Sequence, residues 1–183
     1  FQRAMAGLTE RRGKRLEDSF WTWRELMYRF LDQLTPEHVE AIAAMVQMEM
    51  LEAAQAGADA LLIAPTGGGK TLAGFLPSMI EIASEPTEGL HTLYVSPLKA
   101  LAVDVERNLT IPIAELDLPI RIETRTGDTP QHKRQRQRFD PPHMLLTTPE
   151  SLALLLSYGD SARYFRNLRT VVVDEIHAMA DNK

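Results

Sequence analysis

The sequence predicts an α/β fold, a parallel sheet with helices on both faces preceded by a short helical segment. Three observations predict it. From Ala60 onward, short apolar runs alternate with amphipathic stretches, the pattern of a parallel sheet and its crossover helices. The first run, Ala60–Ala64, opens into a glycine-rich loop and then a helix. The last, Thr170–Asp174, reads as a buried strand that ends in two carboxylates, Asp174 and Glu175. Ligands of such sheets bind beyond the carboxyl ends of the strands, where both features fall.

Composition sets the limits. The 183 residues, 44% of them hydrophobic and 25% charged, suffice for one compact domain and a smaller appendage. Lys and Arg total 20 against 25 Asp and Glu, a formal charge of -5. Overall charge therefore does not hold the chain on nucleic acid, and any such binding needs a local basic surface. There is no cysteine, which excludes disulfides and cysteine metal sites and fits a reducing cytoplasm. No apolar run approaches the roughly 20 residues that cross a bilayer. The first residues, Phe1-Gln2-Arg3, carry neither an initiator Met nor a signal-peptide pattern, and the chain reads as a fragment at both ends.

The elements follow in order. Trp21–Leu34 reads as a helix with aromatic and aliphatic anchors. A second helix begins with Thr35 as N-cap and Pro36 at the first position, where a missing N–H costs nothing. Val39, Ile42, Val46, Met50 and Ala53 recur at helical spacing, and Gly57 is its stop. Strands are expected at Ala60–Ala64, His91–Ser96, Ile120–Thr126, Met144–Thr147 and Thr170–Asp174, about five in all. Helices are expected from Lys70, over Leu98–Leu109, near Gln131–Arg138 and over Pro149–Ser157.

Two motifs carry chemistry. In Ala64-Pro65-Thr66-Gly67-Gly68-Gly69-Lys70-Thr71, three consecutive glycines let the backbone aim successive N–H groups at one centre. The following helix points its positive dipole end there too. Lys70 can reach β- and γ-phosphates, and the Thr71 hydroxyl can ligate magnesium. Ala64 stands where the strict pattern has glycine, so this is the relaxed form. The plainer reading is a glycine turn before an ordinary helix. In the second motif, Asp174 would hold the ion, through water, next to Thr71, and Glu175 would orient and deprotonate the attacking water. Taken alone, a strand ending in Asp-Glu is commonly a solvated strand end.

These residues resemble the DExH-box helicases of superfamily 2 through Ala64–Thr71 and Asp174-Glu175-Ile176-His177. Three further segments look like the large helicase-related, or Lhr, family: Ser96-Pro97-Leu98-Lys99-Ala100-Leu101, Thr124-Arg125-Thr126-Gly127-Asp128-Thr129 and Thr147-Thr148-Pro149-Glu150-Ser151-Leu152. The wording of 64–78 and 90–109 is closest to the ligase-associated branch of that family. The resemblance covers about residues 51–183 and implies a RecA-like P-loop NTPase domain. It implies ATP and Mg2+ as ligands, with Thr66, Gly67, Gly68, Gly69, Lys70 and Thr71 around the phosphates. It implies 3′-to-5′ unwinding in DNA repair, on single-stranded or tailed duplex DNA, beside a ligase and a nuclease. Pro97, Leu98 and Lys99, then Thr126, Gly127 and Asp128, then Thr148, Pro149 and Glu150 would contact the DNA backbone. Hydroxyls, amides at helix N-termini and a Lys suit phosphate and read no sequence. His177 would couple the ATP site to the DNA, although a lone His is more often structural. Gln47 stands near where such helicases keep an adenine-reading glutamine, and is equally well read as a solvated helix residue. The run His132-Lys133-Arg134-Gln135-Arg136-Gln137-Arg138 either meets phosphates or is a solvated helix face. The chain stops before the Ser-Ala-Thr motif and the second RecA-like domain of such motors.

Residues 1–53 read differently. Phe1–Leu8 and Asp18–Tyr28 look like formimidoylglutamate deiminase, a zinc amidohydrolase, but without its metal-binding histidines. His38 alone cannot hold a catalytic zinc, which needs about three protein ligands. The expectation is a chimera of two reading frames joined near Met50-Leu51-Glu52-Ala53, with a deiminase-like segment at 1–53 and the helicase domain at 54–183; the plainer alternative is a divergent helicase N-terminus. The alternative function is a deiminase fragment fused to a non-catalytic nucleotide-binding module.

Overall fold

The computed structural model describes residues 36–63, 70–85 and 87–180, with side chains from 44 to 178. The helix expected at 21–34 and the glycine loop 64–69 lie outside the described residues. The chain divides into two compact units, 1–42 and 43–183.

Helix α1, Pro36–Gln55, begins at the expected proline and runs unbroken through Met50–Ala53. It stops as its sequence requires. Gly57 takes a left-handed φ of 66°, its N–H donates to the Ala54 carbonyl, and the Ala58 N–H donates to that of Ala53. These two reversed bonds are the helix stop that favours glycine at this position.

The remaining elements are α2 (Lys70–Ser84), β1 (Thr92–Val95), α3 (Lys99–Glu115), β2 (Ile122–Arg125), α4 (Gln131–Phe139), β3 (Met144–Thr147), α5 (Pro149–Leu156), α6 (Ser161–Tyr164), β4 (Thr170–Val173) and α7 (Ile176–Ala180). The four strands form one parallel sheet in the order β2-β3-β1-β4. Side chains alternate across it. On one face Tyr94, Met144 and Leu146 pack with Phe75, Met79 and Ile82 of α2 and Ala102, Val105 and Leu109 of α3. On the other, Leu93, Val95 and Leu145 pack with Leu155 of α5 and Tyr164 of α6. Helices cover both faces, as expected.

Four strands are described rather than five. Residues 60–63 form no strand, and Leu61 and Ile63 are 75% and 58% exposed. Their apolar character is that of a strand, but a strand exists only in a ladder, and this segment pairs with none of the described ones. β4 is likewise not buried on both faces. Among the described strands it is an edge strand, with Val172 packed towards α2 and Val171 and Val173 exposed.

β2 is the polar member of the sheet, and α4 matches it. Glu123 and Arg125 point to the same face as Leu145, in a strand where only Ile122 is apolar. Gln137, fully buried, donates to the Glu123 carboxylate and to the Thr124 carbonyl. Arg136 donates to Glu123, with Lys133 4.0 Å away. The buried Arg125 guanidinium donates to the Arg134 carbonyl at 2.7 Å. Arg138 forms a bidentate pair with Asp160 and lies over the Tyr158 ring. The basic run is thus neither a bare phosphate-binding stripe nor a merely solvated face: much of it neutralises and caps β2.

A cavity of about 780 Å3 opens beside the residues that lead into the strands, lined by Arg121, Arg138, Asp140, Asp160 and Arg163 among others. None of the motif residues lines it. Nearby, burial holds the imidazoles of His91 and His143 below the usual histidine range. His143 Nδ1 accepts from the Arg121 N–H at 2.9 Å, which requires the neutral ring. His91 is fully buried, and its Nε2 lies 3.3 Å from Glu81 without aligning as a hydrogen bond. The unfolded chain therefore binds protons near the ordinary value of 6.5 that the folded chain refuses. Stability is full above that value and falls as the pH drops through it. Circular-dichroism melts from about pH 8 to about pH 5 should show this fall, and a His91→Gln, His143→Gln double variant should flatten it. Equal slopes in both proteins would remove the two histidines as the cause.

Candidate functional site

Parallel pairing places Arg125, Thr147, Val95 and Val173 in one row across the sheet. The next residues, Thr126, Thr148, Ser96 and Asp174, are the first beyond each strand, and each belongs to a motif. The sheet therefore brings together at one end the segments Pro97–Lys99, Thr126–Asp128, Thr148–Glu150 and Asp174–His177.

Hydroxyls set the shape of these loops. The Thr147 hydroxyl donates to the Arg125 carbonyl at 2.7 Å, closing β3 onto β2. The Thr129 hydroxyl accepts from the Thr126 N–H at 2.9 Å, and the Thr126 hydroxyl from the Asp128 N–H at 3.3 Å. These bonds fold the Thr-Gly-Asp-Thr turn back on itself, so that Thr126 and Thr129 are buried while Gly127 and Asp128 face solvent. Thr148 is 2% exposed and its hydroxyl pairs with that of Ser151. Pro149 starts α5 and Glu150 is exposed in its first turn. Pro97 is half-buried, Leu98 is 56% exposed, and Lys99 opens α3. Lys99 Nζ reaches both Asp128 carboxylate oxygens at 3.0 Å, in an exposed pair that links the β1 and β2 loops.

Beyond β4, the Asp174 N–H donates to the Val95 carbonyl at 2.9 Å, extending the ladder by one residue. The Asp174 carboxylate accepts from the Tyr94 hydroxyl at 2.7 Å and from the Glu175 N–H at 2.8 Å. Glu175 adopts a left-handed φ of 48°. For a residue with a side chain this costs on the order of 1–3 kcal/mol, and such strain concentrates at functional sites. Glu175 Oε2 lies 3.2 Å from His177 Nε2, and the exposed His177 ring stands at the start of α7.

Lys70 and Thr71 are the first two residues of α2, both half-buried, and no acidic residue follows in the first turn to offset the positive helix end. Leu72 packs into the same cluster as Val172 of β4, next but one to Asp174. Thr66, Gly67, Gly68 and Gly69 lie outside the described residues. Gln47 is half-buried in α1, and no described contact joins it to the strand ends. Among the described residues no three His, Asp or Glu side chains gather as a metal cage. Magnesium bound with nucleotide phosphates needs no such cage, because one or two carboxylates and waters complete its shell. The hard oxygen donors of Thr71 and Asp174 suit it.

Sequence reasoning did not single out Tyr94, Arg125 or Thr129. Tyr94 sits in an apolar run and reads as core. The Thr126-x-x-Thr129 spacing is a legible signal, since a hydroxyl three residues on can cap such a turn.

A parallel sheet between two helical layers, a helix opening at Lys-Thr and an Asp-Glu pair beyond an edge strand define a RecA-like motor domain. The chain belongs to the DEAD/DEAH box helicase family, whose model matches residues 44–183. It is 45% identical over 150 residues to the Lhr helicase/probable uracil glycosylase of Mycolicibacterium smegmatis, covering 75% of this chain and 10% of that protein. It is 42% identical over 141 residues to the ATP-dependent helicase Lhr-Core of Methanothermobacter thermautotrophicus, covering 69% of this chain and 16% of that one. Among solved structures, the Mycobacterium smegmatis helicase Lhr bound to ssDNA and AMP-PNP superposes with a TM-score of 0.66 at 46% identity, over 74% of this chain and 18% of that one. The DUF1998 helicase MrfA bound to DNA and AMPPNP gives 0.66 at 34%, over 73% and 19%. The chain thus spans between a tenth and a fifth of these relatives. The family match begins at residue 44, ahead of the junction expected near Met50-Leu51-Glu52-Ala53, so the matches give that junction no support, and the deiminase resemblance of residues 1–43 rests on sequence alone. The deiminase alternative finds no support in these matches.

The two polar networks should differ in weight. Gln137→Ala leaves the buried Glu123 short of a donor and should cost about 1–3 kcal/mol of stability. Lys99→Ala breaks an exposed pair and should cost less than about 1 kcal/mol. Urea unfolding of both variants tests this, and equal losses would contradict the roles given to α4 and to the Lys99–Asp128 pair.

Proposed function

We propose that this chain is the nucleotide-binding first motor domain of an ATP-dependent 3′-to-5′ DNA helicase of the Lhr type, acting in DNA repair. The observation that carries the reading is the single row of strand ends, which brings the acidic pair and three phosphate-compatible loops to one end of the sheet. The similar Lhr and MrfA structures are bound to DNA and an ATP analogue, which supports the same two ligand classes here.

In this reading the glycine loop 64–69 cradles the phosphates, and Lys70 brings a positive charge to the β- and γ-phosphates. Thr71 and, through water, Asp174 would hold a magnesium ion, which would supply positive charge against the phosphates. Glu175 orients the attacking water and accepts its proton, while His177, beside the Glu175 carboxylate, links that step to the neighbouring loops. Gln47 would read the adenine edge. Pro97–Lys99, Thr126–Asp128 and Thr148–Glu150 bind a single strand through its backbone, without base preference. The ligase-associated resemblance adds a DNA ligase and a nuclease as partners and a cytoplasmic setting.

Turnover also needs positive charge from a second motor domain, a contribution worth about a thousandfold or more. In a DNA-stimulated ATPase and strand-displacement comparison, a longer helicase containing this domain should be active. Its Glu175→Gln variant should bind ATP but lose about 100- to 10,000-fold in rate. The 183 residues alone should displace nothing. Parental turnover by Glu175→Gln, or displacement by these residues alone, would overturn the scheme.

The Lys99–Asp128 pair gives a test for DNA. A phosphate must compete with Asp128 for Lys99, so Asp128→Asn should tighten single-strand binding. Lys99→Ala should weaken it and lower the slope of log affinity against log salt by about one. Anisotropy titrations over a salt series measure both, and unchanged slopes would remove Lys99 from the strand path.

A further inference from the structure

Among the described residues, Tyr94 is the one aromatic side chain that touches both the core and the acidic pair. Its ring is 2% exposed, in the middle of β1, and packs on Phe75 of α2 with centroids 5.5 Å apart. Its hydroxyl reaches past the end of its own strand to the next, donating to Asp174 Oδ2 at 2.7 Å. The opposite oxygen, Asp174 Oδ1, accepts from the Glu175 N–H. Each carboxylate oxygen thus has a fixed donor, and the side chain has no freedom to swing. The Tyr94 donor is the firmer of the two, because its ring is clamped between α2 and the sheet. The Glu175 N–H belongs to a strained residue at a turn.

We propose that Tyr94 is a positioning residue for magnesium–nucleotide binding, holding the Asp174 carboxylate, through the hydroxyl bond to Oδ2, in the one orientation that the ion requires. This rests on the reading above in which Asp174 serves the ion. Tyr94 does not touch ion or nucleotide. Through Phe75 it also packs against α2, the helix that opens with Lys70 and Thr71, while its hydroxyl holds the residue just beyond β4.

A buried hydroxyl needs a partner whatever its role, and a purely structural bond would give Tyr94→Phe a lower melting temperature and nothing else. The test therefore reads the ion. The 183-residue chain, Tyr94→Phe, Asp174→Asn and the double variant are titrated with the fluorescent nucleotide MANT-ADP at increasing Mg2+, and again in EDTA. In Tyr94→Phe the Mg2+ needed for half-maximal enhancement of binding should rise roughly tenfold, the scale of one hydrogen bond to a charged group. Affinity in EDTA should be unchanged. Asp174→Asn should show at least as large a rise, and the double variant should add nothing to it. A rise in Asp174→Asn with none in Tyr94→Phe would overturn the positioning role and leave Asp174 as the ion's residue. Equal weakening of Tyr94→Phe with and without Mg2+ would overturn it too, as a general loss of structure. Binding that ignores Mg2+ in every protein would overturn the reading of Asp174 and this inference together.

Discussion

Parallel strands hydrogen-bonded in register must end level with one another, and this geometric constraint assembles the site. Val95, Arg125, Thr147 and Val173 end the four strands in one row, and the chain leaves the sheet at Ser96, Thr126, Thr148 and Asp174. A slip of one residue in any strand would turn its side chains to the opposite face and carry its loop out of the row. The apolar alternation that buries Leu93, Val95 and Leu145 on one face and Tyr94 and Leu146 on the other prevents that slip. Core packing and site assembly are here the same requirement, met by side chains far from any ligand.

The polar strand β2 shows what it takes to bring the Thr126–Asp128 loop into that row. Arg125 must close the ladder beside Thr147, yet it is 3% exposed and burial depresses its pKa. Removing a charge from water is costly unless donors and acceptors surround it. The Arg134 carbonyl serves Arg125, and Arg136, Gln137 and Lys133 serve Glu123 two residues earlier. The mean polarity of α4 is a consequence of what it covers. Beside it, Tyr164, whose hydroxyl burial pushes up to about 12, closes the same face.

Much of this was legible in the sequence. Met144–Thr147 is bounded as its apolar run suggests, and Pro36, Gly57, Gln131 and Pro149 mark helix ends because capping and φ preference act locally. The helices over 99–115 and 70–84 run through Pro112 and Pro77, which sequence reasoning treats as breakers. Over 60–63 the expected strand does not form, for a non-local reason: these residues have the right character but pair with none of the described strands. The acidic pair and the three loop segments were readable as motifs. Tyr94 was not, because an aromatic in an apolar run carries no mark of what its hydroxyl meets. The basic run of α4 misled in the same way: its charges are visible in sequence, and their partner on β2 is not.

The bare flank of β4 has a practical corollary. Among the described residues no strand pairs with its outer side, where Val171 and Val173 stand exposed. Such a border is a template for any extended segment that arrives with free amides and carbonyls, including the same border of a second molecule. A lysine in place of Val171 would act as a gatekeeper, discouraging that stacking without disturbing the inward-facing Val172.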